Sequence, residues 1–293
     1  MTGVEKGTAR DSGDEPRIVG RSGLGRFTTT LVVQDFSGRR WIWSSRRNRK
    51  GLGLEPAHRA AQTRPRHALP VSPGSITWWI AVLFMIGSAL FAAGSGSTLF
   101  AAPWAPASGT IFFAGSIFFT GAAYLQLLEV VNEPDALTKE RPRTALWRFE
   151  PHKIGWWAVV VQLVGTILFN MNTFEAMRTL SPNAEDRLVW APDAIGASCF
   201  LVASYLAYAE VCRRWIGWQP RNISWWVVFI NLLGSIAFGV SAIASFVVVP
   251  SGELLSAHTS NLGTFVGAIC FFVGAYLLLP EMTAHSDTGA LSP

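Results

Sequence analysis

The chain has 293 residues, half of them hydrophobic, with a positive mean hydropathy and a formal net charge of +5. A mean hydropathy that high is unusual for a soluble domain of this length. The positive charge does not indicate nucleic acid, because it is confined to one tail and to short loops beside apolar segments.

In chain order, residues 1–75 come first, with 14 Lys/Arg, 6 Asp/Glu and no apolar run long enough to insert. They read as a basic tail without a cleavable signal peptide. Within it, RFTTTLVVQDFSGRRWIWS over 26–44 sets β-branched and aromatic residues on both sides of Asp35-Phe36-Ser37-Gly38. That pattern predicts a β-hairpin with a four-residue turn. An isolated hairpin is marginal in water, so it is expected either to dock on the membrane part or to stay mobile. The first 20 residues and the stretch 55–73 are expected to be flexible. Arg39, Arg40, Arg46, Arg47, Arg49 and Lys50, interleaved with Trp41 and Trp43, are expected to meet anionic lipid headgroups rather than nucleic acid.

Six apolar segments follow, at 76–97, 108–129, 154–174, 193–211, 223–247 and 261–280, and none contains Lys or Arg. Each is long enough to cross the hydrocarbon core, which takes about 20 residues. Of the 24 basic residues, 22 lie in the tail and in the second and fourth connectors. Basic loops stay in the cytoplasm, so both termini are expected there, in the cell inner (plasma) membrane.

The odd-numbered segments align without gaps as ITWWIAVLFMIGSALF from Ile76, IGWWAVVVQLVGTILF from Ile154 and ISWWVVFINLLGSIAF from Ile223. All share Pro-x-x-Ile-x-Trp-Trp-x7-Gly-[Ser/Thr]-x2-Phe. The even-numbered segments align as GSIFFTGAAYLQLLE from Gly115, GASCFLVASYLAYAE from Gly196 and GAICFFVGAYLLLPE from Gly267. Self-similarity at this period marks an internal repeat. The expected fold is an all-α integral membrane protein: six transmembrane helices as three parallel two-helix repeats, with a small β-hairpin-containing cytoplasmic tail. The units are expected at 76–131, 151–212 and 220–281, followed by a short tail at 282–293.

The repeated positions carry the physical reading. The pairs Trp78/Trp79, Trp156/Trp157 and Trp225/Trp226 start each unit, where indoles anchor in the headgroup zone, a reading preferred to a cofactor cage. Gly87, Gly165 and Gly234, with Gly115, Gly196 and Gly267, are expected at helix–helix seams, because small residues let backbones approach in lipid. Tyr124, Tyr205 and Tyr276 fall opposite that seam and are expected toward lipid near the inner headgroups or against a neighbouring unit. Glu129, Glu210 and Glu281 recur at the inner ends, either solvated, paired with a connector base such as Arg213 or Arg214, or forming a cation-attracting ring. Gln162, Asn231, Asn170 and Asn172 lie deeper and are expected to bond across helices, or else to line a solute path.

No catalytic constellation, cofactor motif or metal-ligand set is legible. Cys199, Cys212 and Cys270 are odd in number, lack Cys-x-x-Cys spacing and read as small polarizable core residues. The Gly-x-x-x-Phe-x2-Gly-[Ala/Ser] rhythm in GAICFFVGAYLLLPE and IGSALF resembles the YrhK-like family of small bacterial membrane proteins. That resemblance implies a bacterial multi-pass protein and supplies no catalytic residue. The functional expectation is a polytopic protein acting through packing and through lipid or protein contacts. A transporter or channel for a small neutral or cationic solute is the alternative, and a membrane-embedded enzyme ranks last.

Overall fold

The computed structural model describes residues 16–35, 37–57, 72–134, 143–248 and 251–283. They form an antiparallel sheet followed by six long apolar helices. The sheet is a meander of β1 (Arg17–Leu24), β2 (Phe27–Gln34), β3 (Arg40–Ser44) and β4 (Glu55–Pro56). Gly25 takes a φ of +55° in the two-residue loop between β1 and β2, a conformation that tight hairpins need and that costs glycine little. Between β2 and β3, Asp35 Oδ1 accepts the backbone N–H groups of Ser37 and Arg39, both at 2.9 Å. This side-chain cap fixes the turn where the sequence places it.

The expected hairpin is thus present, as the centre of a larger sheet. Arg17–Gly20 and Glu55–Pro56, assigned from composition to flexible stretches, are strands. The correction has a simple cause: β1 is mostly exposed and is held by ladder bonds to β2, so burial left no hydrophobic signal to read. The rest of the second stretch, 58–71, and the expected tail beyond 283 lie outside the described residues.

A short helix, α1 (Ser45–Arg49), continues directly from β3. The long helices are α2 (Ile76–Leu99), α3 (Ser108–Val131), α4 (Ile154–Glu175), α6 (Ala191–Cys212), α7 (Ile223–Ala244) and α8 (Ala257–Thr283). A single turn, α5 (Pro182–Glu185), and a π-helical turn at Asp186–Trp190 lead into α6, so that span starts earlier than its apolar stretch suggests. The fifth ends earlier than expected, at Ala244, because Val247–Val248 (β5) pair with Glu253–Leu254 (β6) in a small hairpin. The sixth gains a turn at its start, where Ser256 Oγ accepts the Thr259 N–H at 3.3 Å. All six are long and apolar enough to span a bilayer, which makes this a multi-pass membrane protein.

Consecutive helices pack as hairpins, α2 on α3, α4 on α6 and α7 on α8, and contacts of α3 with α4, α6 with α7 and α8 with α2 close the ring. Each hairpin crosses at a pair of glycines. A Cβ on Gly87 would lie 3.0 Å from the carbonyl oxygen of Gly115, one on Gly165 3.1 Å from that of Gly196, and one on Gly234 3.1 Å from that of Gly267. Only glycine permits backbones this close, and in lipid such packing holds helices together.

Six phenylalanines fill the ring's interior. Phe91, Phe169 and Phe238 form one triangle, with centroids 5.9–6.3 Å apart. Phe119, Phe200 and Phe271 form a second, at 5.8–6.2 Å. Within each hairpin the two layers touch at 5.0–5.3 Å. All six are buried, so the axis of the bundle is closed here by two stacked aromatic layers.

Candidate functional site

The site lies where the sheet and α1 meet the bundle. The β1–β2 turn docks first: Leu24 and Phe27 pack on Ile154 of α4 and on Leu206 and Ala209 of α6. That contact sets α1 over the mouth of the ring. Arg46, Arg49 and Lys50, spaced i, i+3 and i+4, share one face of this helical turn and project toward the three glutamates.

Arg49 meets Glu210 with two parallel hydrogen bonds of 2.7 Å, the bidentate geometry that suits guanidinium and carboxylate. Ser45 Oγ donates to the same carboxylate at 2.5 Å. Arg46 donates twice to Glu281, at 2.8 and 3.1 Å, and Lys50 also pairs with Glu281. Asn48 Nδ2 donates to Glu133 at 2.8 Å, and Lys153 lies 3.2 Å from that residue's second oxygen. Glu129 accepts from Thr77 at 2.5 Å, and among the described residues no cation lies within ion-pair distance of it.

These contacts correct two expectations. The glutamates are not solvated at the interface but 8%, 3% and 3% exposed, and the cations that pair with Glu210 and Glu281 are tail residues rather than Arg213 or Arg214. Arg46, Arg49 and Lys50 accordingly face carboxylates instead of headgroups. The physical reason is that an unpaired buried carboxylate is costly, and the folded tail brings hydrogen-bonded cations to two of the three. Burial alone would lower the Arg49 pKa, but Glu210 beside it raises it above the ordinary arginine range. Lys50 goes the other way, pushed down to about 8 by burial and by the adjacent Arg46. Burial likewise raises the Glu133 carboxyl above the usual range.

The ring is sequence-symmetric but not chemically symmetric. The residue inside Ile-x-Trp-Trp is Thr77 in the first unit and Ser224 in the third, and each hydroxyl donates to its own hairpin's glutamate at 2.5 Å. The second unit has Gly155 there. A Cβ on Gly155 would lie 2.6 Å from Arg49 Nη1, so glycine opens the space that the guanidinium occupies, and Ser45 supplies the hydroxyl the unit lacks. Sequence reasoning passed over this position, as it did Ser45, Asn48 and Glu133. The Thr/Gly/Ser variation at an otherwise fixed motif, and the one-face spacing of Arg46, Arg49 and Lys50, are the signals that could have found the dock.

Beneath the ion pairs lies a cavity of about 100 Å³, bounded on its far side by Phe119, Phe200 and Phe271. That is room for several water molecules. Gln126, Gln162 and Asn231 line it. Asn231 donates to the Val227 carbonyl one turn back at 2.8 Å, so it bonds within its own helix and not across helices as expected. On the facing helix stands Gly274, where a Cβ would lie 2.7 Å from Asn231 Nδ2, so glycine leaves the space that the amide fills. Asn170 and Asn172 do bond across helices, to Thr120 and Asp193, each at 2.9 Å, near the far end of the bundle. Asp193, which also accepts from Ser245 at 3.3 Å, ties α4, α6 and α7 together there.

The tryptophans divide by position. Trp79, Trp157 and Trp226 each donate Nε1 to the carbonyl of the motif proline, Pro73, Pro151 and Pro220, at 2.9–3.1 Å. This explains the fixed Pro–Trp spacing. Trp156 and Trp225 are buried, each donating to a carbonyl eight residues upstream, so these two are core residues and not interface anchors. Their connectors fold back over them, which the linear motif cannot reveal. Trp78 packs edge-on to Trp79 at 4.9 Å. Tyr124, Tyr205 and Tyr276 all point outward and are exposed, and Tyr205 stacks on Trp215. Among the described residues no His/Cys/Asp/Glu group is placed to hold a metal ion. Comparison with protein-family models, curated proteins and solved structures finds no match.

Proposed function

We propose that this protein is a sealed membrane scaffold: three parallel two-helix units that hold the tail sheet as a docked cytoplasmic cap. It acts through packing and through contacts of that cap with lipid or protein. In this reading both termini are cytoplasmic, the membrane is the cell inner (plasma) membrane, and the chain is kin to YrhK-like bacterial proteins.

One observation carries the reading: the bundle axis is closed twice, by two phenylalanine layers and by the tail ion pairs. A conduit needs a continuous polar path, and aromatic layers without polar groups oppose ions strongly. The polar cavity between the two closures favours a second reading, a small-solute pathway, and the same measurement separates them. Purified full-length protein in liposomes should give no flux of K⁺, Na⁺ or small neutral solutes above empty vesicles. Solute flux that disappears on replacing Gln162 or Asn231 would establish the transport reading instead. Reporter fusions in the first and third connectors should read out on the non-cytoplasmic side, and a cytoplasmic signal from either would overturn the orientation.

A further inference from the structure

A second, larger cavity of about 580 Å³ opens beside the dock, between the sheet, the end of α6 and the connector that leads to α7. Its carboxylates are already engaged: Glu210 by Arg49 and Ser45, Glu281 by Arg46, Lys50 and Ser224. Glu55 forms a long ion pair with Arg47, at 3.9 Å, too far for a hydrogen bond. Its donors are less well served. Among the described residues, Arg47 Nε is buried with no hydrogen-bond acceptor, and its Nη2 reaches the Leu52 carbonyl at 3.2 Å. Thr29, 1% exposed, is a lining residue whose buried hydroxyl has no partner among the described residues. Arg213 and Arg221 sit exposed on the same wall, and the charge of Glu55 acts on Arg213 from across the cavity.

Arg213 adds an independent sign. It ends α6 in the left-handed region, φ +57° and ψ +17°, where glycine is the favoured residue. A long cation held in a conformation that costs it stability points to a task for the guanidinium. Buried donors left without acceptors carry a desolvation cost that an anion would remove. Guanidinium groups and a hydroxyl on residues that line one cavity supply the donor chemistry that phosphate oxygens accept.

We propose that this cavity binds a phosphate group, held by Arg213, Arg47 and Arg221 with Thr29. The connector beside it carries Trp215, Ile216 and Trp218, and Ile216 is 82% exposed. Two tryptophans flanking a bare isoleucine form a membrane-dipping loop, which sets the cavity mouth at headgroup depth. An anionic phospholipid is one source of the phosphate and a free phosphate ester the other. The lipid source rests on the membrane placement proposed above; the phosphate chemistry does not, and it stands whether or not the bundle conducts.

The test uses full-length protein in neutral detergent, titrated with phosphatidylglycerol, phosphatidylcholine and glycerol 3-phosphate and followed by native mass spectrometry and melting temperature. Phosphatidylglycerol is expected to bind about tenfold tighter than phosphatidylcholine, as charge-assisted bonds to an anion require. Glycerol 3-phosphate stabilising as strongly would identify a soluble ester as the source. Arg213→Gly should lose that binding about tenfold while melting at or above the ligand-free wild type, because glycine relieves the left-handed backbone. Thr29→Val, nearly isosteric, should weaken binding about threefold and checks the result if Arg213→Gly folds poorly. Equal binding of phosphatidylcholine and phosphatidylglycerol with no response to glycerol 3-phosphate, or wild-type affinity in both variants, would overturn the proposal.

Discussion

The phenylalanine layers and the glutamate ring lie at two levels of one bundle and arise from positions that recur in all three hairpins, yet one keeps the symmetry of the sequence and the other breaks it. In the aromatic layers every unit contributes alike, with intra-hairpin centroid distances of 5.0–5.3 Å. In the ring, among the described residues, Glu129 has a hydroxyl donor alone, Glu210 has a bidentate arginine and a tail hydroxyl, and Glu281 has two cations and a hydroxyl. The difference teaches where symmetry is imposed. Close packing is satisfied unit by unit, whereas buried charge must be matched by a single tail that has no three-fold repeat of its own.

The largest effects should therefore be equal in one layer and unequal in the other. Phe91→Ala, Phe169→Ala and Phe238→Ala should each cost about 3–5 kcal/mol, and the three values should agree closely. Denaturant unfolding in mixed micelles measures this, and a spread as wide as the mean would break the claim of equivalence. Glu210→Gln should cost about 3–5 kcal/mol of tail docking, because it leaves Arg49 buried without its anion. Glu129→Gln should cost only about 1 kcal/mol, because it leaves no ion-paired cation stranded and the glutamine Oε1 can still accept from Thr77. Trypsin cleavage after Arg46 and Arg49 reads tail opening directly. Equal acceleration by both glutamine variants would show that the tail does not distinguish the units.

A smaller effect isolates the cause of the asymmetry. Gly155→Thr restores the hydroxyl that the first and third units already have and places a Cβ where the Arg49 guanidinium lies. Tail docking should weaken by about 1–3 kcal/mol, the usual cost of overpacking, with bundle stability little changed. Gly155→Ala should give part of this effect by sterics alone. If Gly155→Thr leaves trypsin protection intact, glycine at this position is not what admits the arginine.

These contrasts also mark how much could be read beforehand. Six spans, their approximate ends and the central hairpin were legible, because hydropathy over some 20 residues and a turn centred on Asp35 and Gly38 are local signals. The ion-pair dock was not. Glu210 and Arg49 are 161 positions apart, and nothing local tells a carboxylate at a helix end that its partner lies beyond three other helices. The same holds for Trp156 and Trp225, whose amphipathic rings suit an interface but are covered by their own connectors. Position Gly155 sits between these cases: its departure from the repeat was visible, and only the fold gives it meaning.

The smallest effect concerns Lys50, which shares Glu281 with Arg46 and has Glu129 nearby. Its pKa is about 8 when docked, against an ordinary lysine value of 10.5. A lowered pKa means that the undocked tail binds more protons between those values, so docking should strengthen as pH rises through that window. One proton limits the gain to about tenfold per pH unit, and below pH 8 the cost is constant. Lys50→Met should abolish that slope and leave docking at neutral pH unchanged or improved, because Arg46 still neutralises Glu281 and the methionine stem fills the same space. Trypsin protection that instead falls between pH 8 and 10 in the wild type, and not in Lys50→Met, would show that the lysine charge holds the cap closed. The ring would then need all three tail cations, and the division of labour among its glutamates would have to be redrawn.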